Sequence, residues 1–207
     1  MKVLLFNGSI HKEGCTFTAL KKVAEYLESE GVETEILQIG AAPVSDCLAC
    51  GQCAKLGKCV IGGDVVNEWA EKAKDADGFV FGSPVYYAHP DGRLLCVMDR
   101  LFYSAGRFFA HKPGAVVAAA RRAGTTSSLD AIEKHLSICQ MPVVSSTYWN
   151  MVFGSRAEDV ASDKEGMQTM EYLGKNMAWI LKCIEAGKNA GVNPPETAAK
   201  IKTNFVR

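Results

Sequence analysis

Short apolar runs alternate with amphipathic stretches along most of the chain. Val3-Leu4-Leu5-Phe6 is a continuous apolar run that stops at Asn7-Gly8-Ser9, the signature of a strand buried on both faces that runs into a loop. From 16 to about 30, Leu20, Val23, Ala24 and Leu27 fall on one stripe and predict a helix, with Gly31 closing it. Residues 32 to about 39 alternate as a second strand. Asp64 is placed to cap a helix carrying Val65, Val66, Trp69 and Ala70. A third strand is expected over 78–81, ending at Gly82-Ser83-Pro84, then a helix with Leu94, Leu95, Met98, Leu101 and Phe102. Residues 115–120 read as a fourth strand, 128–139 as a helix with Leu129, Ile132 and Leu136 inward, and 143 to about 147 as a fifth strand. A long last helix is expected over 166 to about 186. The segment after Gly187, with Asn193-Pro194-Pro195, reads as an extended or poorly ordered tail.

Strands that alternate with helices imply an α/β fold, a parallel sheet covered on both faces. Right-handed crossovers leave few ways to wind it. One domain over 1–190 is the economical division, with a cysteine-rich loop at about 44–63 and a tail at 191–207. The formal net charge of +0 removes any general attraction to nucleic acid or an anionic membrane surface. With 48% hydrophobic and 22% charged residues, the composition is that of a folded domain rather than a disordered chain. No apolar run reaches the ~18 residues of a membrane span. The opening apolar run ends at Asn7, shorter than the ~7 residues a secretory core needs, so a cytosolic location is expected.

That location makes the cysteines informative, because stable disulfides are uncommon in a reducing compartment. Cys47, Cys50, Cys53 and Cys59 stand as C-x2-C-x2-C-x5-C. Thiolates at this density can converge on an iron–sulfur cluster or a structural zinc ion. Three evenly spaced cysteines followed by a fourth resemble a cluster set more than the paired spacing of a zinc site. Zinc, or disulfides formed on oxidation, stay open. Cys96, Cys139 and Cys183 are expected to be small core residues.

Three loops follow strands and carry chemistry. The first, 7–18, has Gly8 and Gly14 for tight geometry, the hydroxyls of Ser9, Thr16 and Thr18, and a helix N-terminus. Free amides and the positive end of the helix dipole suit a phosphate monoester. It matches neither the G-x-G-x-x-G turn of dinucleotide folds nor the triphosphate loop G-x-x-x-x-G-K-[ST]. The second, 83–90, has two prolines for stiffness and Tyr86 and Tyr87 as flat surface for a planar ring. The third, 120–128, has Arg121 and Arg122, able to neutralise a ligand phosphate, before Gly124 and Thr125. Cys15 at a helix start suggests a lowered pKa and a thiol-based phosphatase. Lys21, however, stands where the C-x5-R signature of such enzymes needs arginine.

Taken together, the G-S-x-x-x-x-G-x-T pattern at 8–16, the Ser83-Pro84-Val85-Tyr86 segment with Asp99-Arg100 downstream, and the cysteine spacing resemble the NADPH-dependent FMN reductase family of the flavodoxin-like superfold. The cysteines place the chain nearest the iron–sulfur flavoprotein branch. The resemblance implies a three-layer sandwich with a five-stranded parallel sheet in the order 2-1-3-4-5. It implies FMN, held by Ser9, His11, Lys12, Gly14, Cys15, Thr16 and Thr18 at the phosphate. Ser83, Pro84, Val85, Tyr86 and Tyr87 would meet the ring edge and Gly124 and Thr125 the pyrimidine end, with Arg122 on a cofactor phosphate. The family's first-loop arginine is absent, with His11 or Lys12 in its place, and Cys15 replaces the usual Asn or Ser. NAD(P)H is the implied electron donor, and a flavin, quinone or protein the acceptor. A [4Fe–4S] cluster on Cys47, Cys50, Cys53 and Cys59 would let the flavin feed one-electron partners. A homodimer or homotetramer is expected, with Trp149 and Asn150 at the site or an interface. The alternative is a non-enzymatic electron carrier or redox sensor on the same fold, although flavodoxins are commonly more acidic and shorter than this neutral chain.

Overall fold

β1 (Lys2–Asn7) is the strand around which the sheet is built. In the computed structural model, which describes residues 1–196 together with 201 and 203, it lies between β2 (Glu33–Gln38) and β3 (Gly78–Tyr86), parallel to both. β5 (Gly114–Ala120) pairs with β3 and β6 (Met151–Phe153) with β5, again parallel. The order is therefore β2-β1-β3-β5-β6, and the two-residue β4 (His89–Pro90) folds back antiparallel on the end of β3. Counted over the parallel strands alone, this is the expected 2-1-3-4-5 flavodoxin-like winding. Most of the expected tail, from 197 on, lies outside the described residues.

Alternation along the strands divides the core in two. Leu4, Phe6, Phe79, Phe81 and Val116 face one side, where they pack with α3 (Val65–Lys74), α4 (Gly92–Ala105) and α5 (Thr125–Ile138). Val3, Leu5, Val80 and Val117 face the other, against α1 (Cys15–Ser29) and α7 (Lys164–Asn189). Phe6 and Phe81 stack at 4.6 Å across the two neighbouring central strands. Two short helices complete the chain, α2 (Cys53–Leu56) and α6 (Ala157–Ser162). Asp64 caps α3 as expected, accepting from the amide of Val66. Gly31 follows α1 at φ +79°, a conformation that L side chains rarely adopt.

Three expectations are corrected. The third strand does not stop near residue 82; it continues through Tyr86 and turns into β4, so the second loop is a hairpin. The fifth strand is split. Val143 makes only an isolated bridge to Gly114, and the chain leaves the sheet before rejoining it at Met151. The polar run between explains the excursion: Ser146 bonds Asn150 and the Tyr148 carbonyl, and Asn150 reaches the Val144 carbonyl, so side chains take the place of ladder bonds. Finally, Cys183 lies exposed on α7, and Cys96 and Cys139 are only half-buried. Among the described residues no helix is long and apolar enough to cross a membrane.

Candidate functional site

The loops after β1, β3, β5 and β6 meet at the carboxyl end of the sheet, where open α/β sheets bind ligands. The first is pinned to backbone. The Gly8 amide donates to the Gly82 carbonyl at 2.9 Å, and a Cβ on Gly8 would stand 2.7 Å from that oxygen and from Leu94. The fully buried Asn7 side chain accepts from the Ser9 amide and donates to His11 O and Gln38 Oε1. Gln38 donates in turn to the Ser9 carbonyl at 2.6 Å. α1 then starts at Gly14 with no side-chain cap and no acidic residue in its first turn. Its leading amides have no cap, and Thr16 Oγ1 is buried without a partner. An uncapped helix start beside an orphaned buried hydroxyl fits an anionic phosphate.

The hairpin after β3 has both turn residues, Tyr87 and Ala88, at positive φ (50° and 60°), the twist that two-residue hairpins favour. Its tip is pressed onto the start of α5. Gly124 has φ +93°, and a Cβ there would stand 2.4 Å from Ala88 Cα. The Ser127 hydroxyl donates to the Ala88 carbonyl. Tyr86 and Tyr87 are exposed, as is Arg122. The loop after β6 joins through Cys15, whose thiol lies 3.6 Å from the Gly154 carbonyl. Burial, together with Asp159 and Glu158, pushes that thiol's pKa up, so the lowered value expected from its helix position is corrected.

The cysteine loop lies between β2 and α3, and within it only α2 is regular. Cys47, Cys50, Cys53 and Cys59 line a single concavity whose floor includes Arg100 and Tyr103 of α4. The Cys53 thiol lies 3.7 Å from the Tyr103 carbonyl. Asn67 of α3 brackets Cys59, accepting from its amide and donating to its carbonyl, both at 3.0 Å. Arg107 holds the Gly57 carbonyl at 2.9 Å. Arg100 is buried and donates to Cys59 Sγ at 3.3 Å and to the carbonyls of Ser45 and Ile61. Cys47, Cys50, Cys53 and Cys59 are free thiols. Among the described residues no three His, Cys, Asp or Glu side chains are grouped so as to hold a metal ion.

A family model described as NADPH-dependent FMN reductase matches residues 1–155. An iron–sulfur flavoprotein of Methanocaldococcus jannaschii is 32% identical over 193 residues, covering 89% of this chain and 100% of that protein. The chain belongs to the NADPH-dependent FMN reductase family, in its iron–sulfur flavoprotein branch. It is a flavin oxidoreductase. An iron–sulfur flavoprotein of Methanosarcina thermophila is 28% identical, covering 91% of this chain and 100% of that one. The fold is also that of the NAD(P)H:quinone oxidoreductase from Methanothermobacter marburgensis, at TM-score 0.66 and 15% identity over 86% of this chain and 96% of that one.

For this flavin oxidoreductase the sequence located the loops correctly but not the use of every side chain. Three hydroxyls are engaged within the protein: Thr18 on the Gly14 carbonyl, Thr125 against Met151 sulfur, and Ser83 between the Asp91 amide and the Pro84 carbonyl. His11, Lys12 and Arg122 stand exposed around the cleft, Gly14 opens α1, and Ser9 is buried beneath the loop. Pro84 and Val85 are half-buried at the hairpin base. Asn7 and Gln38 were missed, and Arg100 was named only within the Asp99-Arg100 pair, with no role at the cysteine loop. Asn7 and Gln38 end neighbouring strands, and a polar residue closing a buried apolar run was the available signal. Arg100, an arginine among the inward positions of an amphipathic helix, was another.

Proposed function

We propose that the protein is an FMN-dependent NAD(P)H oxidoreductase whose four-cysteine loop holds a [4Fe–4S] cluster. The observation that carries the flavin part is the uncapped start of α1 next to the orphaned Thr16 hydroxyl, at the mouth formed by the hairpin and the α5 loop. The α1 amides and Thr16 would bind the phosphate, with Ser9, His11, Lys12, Gly14, Cys15 and Thr18 around it. Backbone groups of 83–87 and 124–125 would orient the ring edge, and Tyr86 and Tyr87 would screen it from water. Arg121 and Arg122, both exposed beyond β5, would meet the phosphates of the incoming nicotinamide. Bound FMN supplies hydride acceptance from a reduced nicotinamide and release of electrons in pairs or singly.

Four thiols around one concavity support the cluster reading. Cys47, Cys50, Cys53 and Cys59 would be its thiolate ligands, and the cluster would supply one-electron transfer beside the flavin. A cluster would suit a one-electron protein acceptor; a flavin or a quinone would draw on the flavin directly. A reducing, cytosolic setting and a homodimer or homotetramer are proposed with it.

The test is the visible spectrum of protein purified without oxygen, with iron and sulfide assays. Flavin bands, a broad shoulder bleached by dithionite, and about four irons per chain are expected. Flavin without iron would leave a simple FMN reductase. A colourless protein that also fails to take up FMN would overturn the proposal.

A further inference from the structure

Arg100 is a cation with no solvent-exposed side-chain surface, whereas the other ion pairs among the described residues are at least partly exposed. It leaves α4 toward the cysteine loop. A guanidinium has five N–H donors in a planar fork, and all five have acceptors here. Nε donates to Cys59 Sγ at 3.3 Å. Nη1 donates to the Ser45 carbonyl and to Asp64, and Nη2 to the Ile61 carbonyl at 2.9 Å and to Asp64 again. The loop's entry, its last cysteine and its exit are thus tied to one side chain. Asp64, the cap of α3, balances the charge from the Nη edge and leaves Nε to the sulfur. The opposite end of α4 is anchored at the hairpin, where the Asp91 amide donates to Ser83 Oγ and Asp91 caps Leu94. One helix therefore supports both candidate sites.

We propose that Arg100 is the positioning residue of the cysteine site. It sets Cys59 for ligation, and its N–H and charge, facing that sulfur away from water, raise the reduction potential of the group the four cysteines hold. This rests on the cluster reading above. The physical reason is that reduction adds negative charge, part of it on the sulfur ligands. A donor and a cation at hydrogen-bond distance stabilise the reduced form more than the oxidised form. Lysine is no substitute, because an ammonium has three donors and no planar fork with which to reach five acceptors.

The test uses R100K and R100M in the full-length protein. FMN retention, which rests on the β1–α1 loop and not on contacts of Arg100, verifies folding. Three readouts follow: alkylation of Cys59 in metal-free protein, iron and sulfide per chain, and the midpoint potential in a dye-mediated titration. In R100M the alkylation rate of Cys59 should change roughly tenfold, the scale of one charge-assisted hydrogen bond lost from its sulfur. Iron content should fall, and the remaining cluster should titrate at a more negative potential. R100K, which keeps the charge, should recover part of the potential but not the iron content. Unchanged alkylation, iron and potential in both variants would overturn the proposal. If the wild-type chain takes up no iron, the cluster reading fails by itself, and the alkylation rate alone decides whether Arg100 positions Cys59. If R100M also loses FMN, R100K decides.

Discussion

The two candidate sites are held by opposite means. The β1–α1 loop is short and fixed by backbone: Gly8 lies against the Gly82 carbonyl, and buried Asn7 stitches its turn. The cysteine loop is long, exposed over most of its length and almost without regular structure. Side chains hold it instead: Arg100, Asn67 and Arg107 each reach in from neighbouring helices. A doubly wound sheet brings an uncapped helix start to the end of β1 through its winding alone. It contains nothing that would shape the long excursion between β2 and α3, which therefore depends on a few particular residues. Damage to the first site should lower the stability of the whole domain, and damage to the second should stay local.

The largest expected effect breaks the first site. In Gly8→Ala the new Cβ meets a carbonyl oxygen at 2.7 Å within the central sheet. The variant should lose about 3 kcal/mol and its FMN, read from a denaturant midpoint and from flavin content. A stable, yellow G8A protein would show that the loop is not set by the sheet. Next, Asn7→Ala removes a buried amide and takes away the acceptor of the Ser9 amide and the donor to Gln38 Oε1. It should lower stability by about 2 kcal/mol and speed FMN release while iron content stays unchanged; a parallel loss of iron would mean the two sites are not independent.

A smaller effect tests the stem of the cysteine loop. Glu35 on β2 pairs with Lys72 on α3 and with Lys2, joining the strand before the loop to the helix after it. Lys72 above all, then Lys2, against the opposing effect of burial, holds the Glu35 carboxyl below its ordinary 4.5. A depressed carboxylate stabilises the fold above its unfolded value, and that contribution is lost as pH falls through the lowered folded value. Glu35→Gln should therefore be less stable than wild type by about 0.5 kcal/mol at pH 7, discounted for solvent screening, and equal to it in acid. Thermal melts across that range check it. The smallest effect belongs to Cys50→Ser. Cys50 is exposed, so the metal-free melting stability should stay within about 0.5 kcal/mol of wild type while iron incorporation drops. A large loss of metal-free stability would show that the cysteines themselves brace the fold.

Much of the fold was legible because it depends on local pattern. The apolar runs of β1 and β5, the stripe of α1, the Asp64 cap and the Gly31 stop each fall within a few residues and need no distant partner. The split fifth strand was not legible. Val143-Val144 is as apolar as Met151-Val152, and only the bonds of Ser146 and Asn150 show where the chain leaves the sheet. Nor did the run Ser83-Pro84-Val85-Tyr86 reveal a hairpin, because its turn carries tyrosine and alanine at positive φ instead of the glycine or asparagine that usually signals one.

The sequence by itself determined the alternation of strands and helices, the loops that follow the strands, and the four cysteines, since each is written in periodicity, spacing or residue type, whereas the winding order was implied by the family resemblance. Only the tertiary structure decided which groups in those loops remain available. It engaged the hydroxyls of Thr18, Ser83 and Thr125 internally and left that of Thr16 buried and unpartnered. It also turned Arg100 inward, across 41 positions of chain, onto Cys59. Hydrogen-bond partners so far apart in sequence are chosen by packing, and no local pattern records that choice.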